Sequence, residues 1–258
     1  MRIFSFSFLA AALLCSAAHS APAGAQAALN QVTAISYNIR HGRWPEGVDT
    51  LKNIAEFLRA QRADIVFLQE LDKGTLRSGG VNQLRILSEL SGYAHVRFAK
   101  AIDLEGGAYG IGIASRYPFE DYEEIPLEVA RTGEWYEARV LQLARIRVGA
   151  HILLIGNTHL HVPEAYNLAQ AELLTRILRT RLAPGQAVLL GGDFNARPGS
   201  ATYEHLNSFL SDAAVGFCEH DWRIDYFFTR LLKTAGFAVP KIGHSDHYPI
   251  TAIFEFPN

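Results

Sequence analysis

VTAISYN, residues 32 to 38, is an apolar, β-branched run that stops abruptly at a carboxamide. A run of this kind reads as a strand buried on both faces. The same grammar recurs along the chain: Ile65 to Leu68 stops at Gln69 and Glu70, Ile152 to Ile155 leads to His159, and Val188 to Leu190 leads to Asp193. Between these strands lie helical spacings. Leu51, Ile54, Phe57 and Leu58 space one helix ending near Arg62, and Leu84, Leu87 and Leu90 space another. The longest spans Glu164 to Arg181, with Leu173, Leu174, Ile177 and Leu178 on its apolar face and Pro184 and Gly185 as its stop. Gly110 to Ser115 and Val140 to Val148 read as strands without intervening helices, and Ile224 to Phe228 and Thr251 to Phe256 close the chain. The mixture predicts an α/β (α+β) fold of two packed sheets with helices on their outer faces, not a simple alternating parallel sheet.

The chain has 258 residues, of which 49% are hydrophobic and 19% charged, a composition that forms a core rather than a disordered segment. With 24 Lys plus Arg against 26 Asp plus Glu, the formal charge of −2 excludes a polybasic binder of nucleic acid or anionic lipid. Residues 1 to 27 carry one charge, Arg2, then an apolar stretch from Phe4 to Leu14 and small-residue sites such as Ala25-Gln26-Ala27. This is the pattern of a secretory signal peptide, too short in its apolar part to span a bilayer. Its removal takes away one base and no acid, leaving 23 against 26 and a charge of −3. Residues 28 to 258 then form one domain, expected to be exported to the bacterial periplasm or the extracellular space, with no integral membrane segment. A monomer is expected. Of the two cysteines, Cys15 and Cys218, only the second would remain, too few for a disulfide framework or a cysteine zinc cluster.

Residues just beyond the ends of neighbouring strands converge on one edge of a layered fold. Five segments supply polar groups there: SYNIRHG at 36 to 42, DIVFLQE at 64 to 70, GNTHLH at 156 to 161, GGDFNARP at 191 to 198 and GHSDHYP at 243 to 249. Asn38, Glu70, His159, Asp193, Asn195 and His247 are therefore expected to share a cleft. Taken singly, each has a plain alternative: Asn38 a turn cap, Glu70 a surface carboxylate, His247 a bonded surface histidine. Together they suit metal-assisted attack on phosphorus. Oxygen donors such as Glu70, with Asp193 and Asp246 nearby, match a hard cation, Mg²⁺ or Mn²⁺. A histidine beside an acid supplies general acid or base chemistry. Asp225, in the strand RIDYFF among Ile224, Tyr226, Phe227 and Phe228, needs a partner if buried, and His247 is the candidate.

All five segments plus RIDYFF, in this order, resemble the endonuclease/exonuclease/phosphatase superfamily, over about Val32 to Phe256. The resemblance implies a four-layer α/β sandwich, with two packed mixed β-sheets flanked by helices, and a Mg²⁺-dependent phosphoesterase. It further implies Glu70 as the principal metal ligand with Asn38 and Asp246 close by, and Asp193 orienting or deprotonating the attacking water. Asn195 would hold that water or a phosphate oxygen. His159 and His247 would grip the scissile phosphate, with Asp225 supporting His247. Arg139, in the segment EAR, resembles a phosphate-binding arginine of the family, although a strand-surface arginine beside Arg145 and Arg147 fits the sequence equally well.

Two details bear on the metal and the substrate. THLH imitates the start of the zinc-hydrolase pattern H-x-H-x-D-H, but Pro163 and Glu164 stand where Asp and His are required. Arginines such as Arg40, Arg43, Arg77 and Arg197 are scattered, with no dense basic run, which disfavours duplex DNA. Only 32 positions separate Asp193 from Asp225, so little loop overhangs the cleft, which suits small or flexible phosphodiesters. The expected partner is a phosphoester: a small molecule, a lipid head group or a nucleic acid. The functions that remain open are a phosphodiesterase or phosphatase, a secreted nuclease, and a non-catalytic binding protein of the same fold.

Overall fold

The computed structural model describes residues 30–131, 133, 135–218 and 222–257. The expected signal peptide, residues 1–27, lies outside the described residues. Twelve strands and four α-helices follow in the order β1 (Gln31–Asn38), α1 (Leu51–Gln61), β2 (Ile65–Lys73), α2 (Gln83–Ser91), β3 (His95–Leu104), β4 (Gly107–Ser115), β5 (Phe119–Pro126), β6 (Val140–Val148), β7 (His151–His159), α3 (Glu164–Arg181), β8 (Ala187–Asp193), α4 (Ala201–Asn207), β9 (Ser211–Asp212), β10 (Asp225–Arg230), β11 (Lys233–Ala238) and β12 (Ile250–Glu255). They form two six-stranded sheets, ordered β11-β12-β1-β2-β4-β3 and β5-β6-β7-β8-β10-β9. Each sheet is mixed: β1 and β2 run parallel, as do β7 and β8, and the other pairings are antiparallel. Among the described residues no helix is long and apolar enough to cross a membrane.

Three apolar layers hold this sandwich together. Between the sheets, Val32, Ala34, Ile65 and Phe67 of one face Leu153, Ile155, Leu189 and Phe227 of the other. Outside the first sheet, Ile35, Tyr37, Val66 and Leu68 pack on Ile54 and Leu58 of α1 and Leu84 and Leu87 of α2. Outside the second, Leu154, Val188, Leu190 and Phe228 pack on Leu174 and Leu178 of α3 and Leu206 of α4. Strand side chains alternate between faces, so each central strand contributes to two apolar layers. That is why these strands read as uninterrupted apolar runs.

The inward-facing positions become polar towards one edge. In β1 they pass from Val32 and Ala34 to Ser36 and Asn38, and in β7 from Leu153 and Ile155 to Asn157 and His159. In β2 Ile65 and Phe67 are followed by Gln69, and in β8 Leu189 is followed by Gly191 and Asp193. Where the layer first turns polar, Gln69 Nε2 donates to Asn157 Oδ1 at 2.8 Å, and Asn157 Nδ2 donates to the Gly112 and Leu68 carbonyls of the opposite sheet. These bonds satisfy groups that would be costly to bury alone. The sheets are thus glued by hydrocarbon at one end and by amides near the other.

At Gly191 the two sheets come into close contact. A Cβ there would lie 2.4 Å from Cδ2 of Phe67, whose ring fills the gap between the sheets. Overpacking of this kind typically costs about 1–3 kcal/mol. Gly191→Ala is expected to lose about that much stability, read as a lower urea midpoint with an unchanged slope, and adding Phe67→Leu is expected to recover part of it.

Candidate active site

The polar edge gathers the ends of β1, β2, β7 and β8, the start of β10 and the loop before β12. Asp193 stands at its centre, fully buried at the end of β8 and directly opposite Asp225 in the antiparallel register with β10. Its Oδ2 accepts a hydrogen bond from Asn38 Nδ2 at 2.9 Å. The same oxygen lies 3.5 Å from His159 Nε2 and 3.8 Å from His247 Nε2. Its Oδ1 accepts from the Asn195 backbone N–H at 3.0 Å. Burial pushes the Asp193 carboxyl well above its usual range, and the Asp225 charge adds to this effect.

Asn38 also donates from Nδ2 to Glu70 Oε1 at 2.9 Å, while its Oδ1 accepts from the Arg40 backbone N–H. The amide therefore turns its hydrogens, not its oxygen, towards the two carboxylates. In this arrangement Asn38 bridges Glu70 and Asp193. Glu70 itself occupies a left-handed backbone conformation, φ +57°, inside the register shift between Leu68 and Leu71 on the β2–β4 ladder. Such a conformation costs a non-glycine residue roughly 1–2 kcal/mol, and here it breaks the strand alternation at Glu70. Arg40, His41 and Asn195 share the same unusual conformation beside the site, the clustering expected of a strained functional edge. Burial raises the Glu70 carboxyl above its ordinary value, against the opposing Asn38 hydrogen bond and the His247 charge.

His247 and Asp225 form the expected pair. Nδ1 of His247 lies 2.7 Å from Asp225 Oδ2. Burial disfavours the imidazolium, but the Asp225 carboxylate, by charge and hydrogen bond, and the Asp193 and Asp246 charges outweigh it and raise the His247 pKa to about 10. His159 behaves oppositely. It is buried, and burial followed by the nearby Arg139 charge holds its pKa well below the usual value. Arg139 Nη1 lies 3.3 Å from His159 Nδ1. An arginine can only donate, so this contact places the histidine proton on Nε2, facing Asp193.

The other expected residues fall around this centre. Asn195 spends its Nδ2 on the Leu160 carbonyl at 2.9 Å, which fixes the loop after β8. Asp246 pairs with Arg40 through Nη1 and accepts from Ser245 Oγ at 3.2 Å, near enough for its charge to act on Glu70. Arg139 is only 5% exposed, which removes the strand-surface alternative, and it is held by Glu137 Oε1 at 2.8 Å. His161 is buried among Trp135, Tyr136 and Tyr166, and its Nε2 accepts from the Glu137 backbone N–H at 2.9 Å. Two residues were not singled out from sequence: Glu137 and Tyr109. Tyr109 is buried on β4 beside Glu70 and Arg139, and burial raises its hydroxyl far above the usual range. Glu137 stands two residues before Arg139, a spacing that puts two charged groups on one side of an extended segment, and this was its one sequence signal.

One atom of each of Asp193, Asp225 and His247 lies within 4.8 Å of the others, close enough to hold a metal ion together. With His247 Nδ1 engaged by Asp225, however, this trio is also a proton-handling pair aimed at an acid. Glu70, with Asp246 near it, is a separate oxygen-donor position.

Comparison with known proteins agrees with this geometry. Residues 35–247 match the model of the "Endonuclease/Exonuclease/phosphatase family". The chain is similar to the inositol phosphosphingolipids phospholipase C of Schizosaccharomyces pombe, with 26% identity over 178 residues, or 62% of this chain and 40% of that protein. It thus spans well under half the length of that relative. Among solved structures, an endonuclease/exonuclease/phosphatase from Beutenbergia cavernae superposes with a TM-score of 0.75 at 21% identity, covering 89% of this chain and 72% of the other. A mannosyl-6-phosphatase from Bacteroides thetaiotaomicron superposes with a TM-score of 0.71 at 16% identity, covering 87% of this chain and 100% of the other.

A raised histidine pKa stabilises the fold below the unfolded value of 6.5, and that stability drains away as pH rises towards about 10. In Asp225→Asn the opposing effect of burial is left less compensated. The His247 titration, followed by NMR of the imidazole Cε1–H, is expected to move down from the wild-type position. The loss of stability between neutral and alkaline pH should shrink accordingly.

Proposed function

Since the chain belongs to the endonuclease/exonuclease/phosphatase family, whose members hydrolyse phosphoester bonds, we propose that it is a Mg²⁺-dependent phosphodiesterase acting on a small or lipid-borne phosphodiester. The observation that carries this reading is the crowd of donors around Asp193 Oδ2: one amide at hydrogen-bond distance and two imidazole nitrogens at 3.5 and 3.8 Å. The two longer distances exceed a direct hydrogen bond, so neither imidazole nitrogen is committed to the carboxylate, and each can turn to an oxygen seated beside the pair.

The donor set fits a hard cation. Glu70 is a part-buried carboxylate with one amide hydrogen bond, and its pKa stays raised because desolvation outweighs that bond and the His247 charge. Glu70 would hold the ion with Asp246 beside it, and oxygen donors of this kind select Mg²⁺ or Mn²⁺. When bound, the ion would polarise a phosphoryl oxygen and offset charge developing on it.

The remaining work belongs to the side chains. Asp193, with a raised pKa, orients the attacking water and takes its proton. His247, protonated at neutral pH through Asp225, donates from Nε2 to a phosphoryl oxygen. His159, neutral and with its proton on Nε2, donates to a second oxygen without adding charge. Arg139 fixes the His159 tautomer, and Glu137 fixes Arg139. Asn38 keeps Glu70 and Asp193 apart, so that one can serve the cation and the other the water. The similarity to a phospholipase C of sphingolipids supports a lipid head-group phosphodiester over a polynucleotide, as do the net charge of −2 and the absence of a dense basic run. Export, expected from the leader-like pattern of residues 1–27, belongs to the same proposal.

Chelation by EDTA is expected to abolish hydrolysis and Mg²⁺ to restore it, assayed on a panel of a lipid phosphodiester, a nitrophenyl phosphodiester, a phosphomonoester, DNA and RNA. His247→Ala and Asp193→Asn should each lower kcat by at least about 10² with unchanged circular dichroism. Activity that survives chelation, or wild-type rates in both variants, would refute the mechanism. Faster turnover of DNA or RNA than of either diester would reassign the substrate.

A further inference from the structure

A cavity of about 390 Å³ opens beside the proposed dyad, with Asp225 and His247 on its wall. The volume lies within the range of small-ligand sites, roughly 300–1,000 Å³. Its remaining wall is largely apolar: Cys218, Trp222 and Ile224 from the segment leading into β10, and Val239, Tyr248 and Ile250 from the segment leading into β12. Two of these side chains are unusually open, Trp222 at 74% and Tyr248 at 50% exposure. Arg197 braces Trp222, its guanidinium carbon 4.1 Å from the ring centroid.

The charges on this wall restrict what can enter. Asp225 and Asp246 are acids, and the only arginine among the described lining residues, Arg223, is taken by Asp212 at 2.6 and 3.3 Å. The charged groups on this wall are already paired, Asp225 with His247, Asp246 with Arg40 and Arg223 with Asp212, so a second phosphate of a polynucleotide would find no uncommitted arginine or lysine among the described lining residues. An uncharged hydrocarbon meets aliphatic and aromatic surface on both sides. The apolar character continues outside the cavity: of twelve exposed large apolar side chains among the described residues, eight lie in the loops at this edge, including Val215 and Phe217 on the same β9–β10 connection.

We propose that the cavity between Trp222, Val239 and Tyr248 is the subsite for a hydrocarbon substituent of the phosphodiester, held beside His247 while the phosphate occupies the polar edge. The assignment rests on the phosphodiesterase reading of the neighbouring site, and it makes the substrate an amphiphile rather than a polyanion. Apolar burial in the subsite selects for chain length, while the polar edge sees the same phosphate in every case.

The test uses two diesters with the same leaving group, methyl 4-nitrophenyl phosphate and octyl 4-nitrophenyl phosphate, both below the concentration at which the octyl ester aggregates and both with Mg²⁺. The octyl ester is expected to show a KM at least about tenfold lower than the methyl ester. Trp222→Ala should erase that advantage, leave kcat/KM for the methyl ester within about twofold, and be rescued by Trp222→Phe. Equal KM values in the wild type, or a variant that loses both esters alike, would overturn the subsite. So would a thymidine 4-nitrophenyl phosphodiester that outcompetes the octyl ester and is lost in the same variant, because that outcome gives the cavity to a nucleobase. A second readout needs no turnover: octyl methylphosphonate is expected to slow alkylation of Cys218 by iodoacetamide, measured on the Cys218 peptide by mass spectrometry, and methyl methylphosphonate is not. Protection without hydrolysis of either ester would defeat the phosphodiesterase reading and uphold the subsite. Hydrolysis with neither chain-length preference nor protection would do the reverse.

Discussion

One carboxamide joins the two sheets at the edge that carries the chemistry. Asn38 belongs to the first sheet and Asp193 to the second, and the 2.9 Å bond between them bridges the gap that Phe67 and its neighbours fill with hydrocarbon further down. The same nitrogen reaches Glu70 within its own sheet. Two acids that would repel if pushed together are thereby held at a fixed separation by two hydrogens on a single atom. Every other polar contact at the edge is arranged around that spacing: the two imidazoles face Asp193, Asp225 stands behind His247, and Arg139 stands behind His159.

The two histidines show how environment divides one kind of side chain into two roles. Both present Nε2 to the same carboxylate oxygen. His159 is deeply buried with a cation behind it and stays neutral, while His247 has a carboxylate behind it and stays charged. The difference comes first from burial, reinforced by Arg139, at His159 and from the Asp225 carboxylate that overcomes burial at His247. Burial with a nearby arginine thus keeps one imidazole neutral, and a part-buried aspartate keeps the other charged.

Much of this was legible in the sequence where burial was complete, and little where it was not. β1, β2, β7 and β8 are covered on both faces, so their apolar runs and the polar residues that end them stand out, and Asn38, Glu70, His159 and Asp193 came with them. β3, β5 and β11, none of which was read as a strand, lie at or next to the sheet margins and mix polar with apolar residues, as in HVRFAKAIDL and FEDYEEIP. Each pairs only with the next strand along the chain, so it has one strand neighbour and no uninterrupted apolar run to mark it. Arg139 was ambiguous for a related reason: a charged residue just before a strand is equally at home in water or on a phosphate, and only packing against His159 and Glu137 distinguishes the two. Tyr109 hid in an apolar strand, where nothing local separates a core tyrosine from one whose hydroxyl faces a carboxylate. The orientation of the Asn38 amide also depends on tertiary partners, which is why the residue could be placed at the site but not given its part there.

The gradation of the inter-sheet layer from hydrocarbon to amide to carboxylate has a mechanical consequence. The apolar end tolerates small sliding motions, because hydrophobic contact has no preferred direction. The polar end does not, because each of its bonds is short and aimed. A slight shear between the sheets would separate Asn38 from Asp193, carry His159 away from the groups contributed by β1 and β2, and pull His247, held on the β12 side, away from Asp225. The active edge therefore acts as a vernier on the docking of the two halves. Disturbances too small to register as unfolding would still be read there, and any force that brings the halves back into register would restore every distance at once.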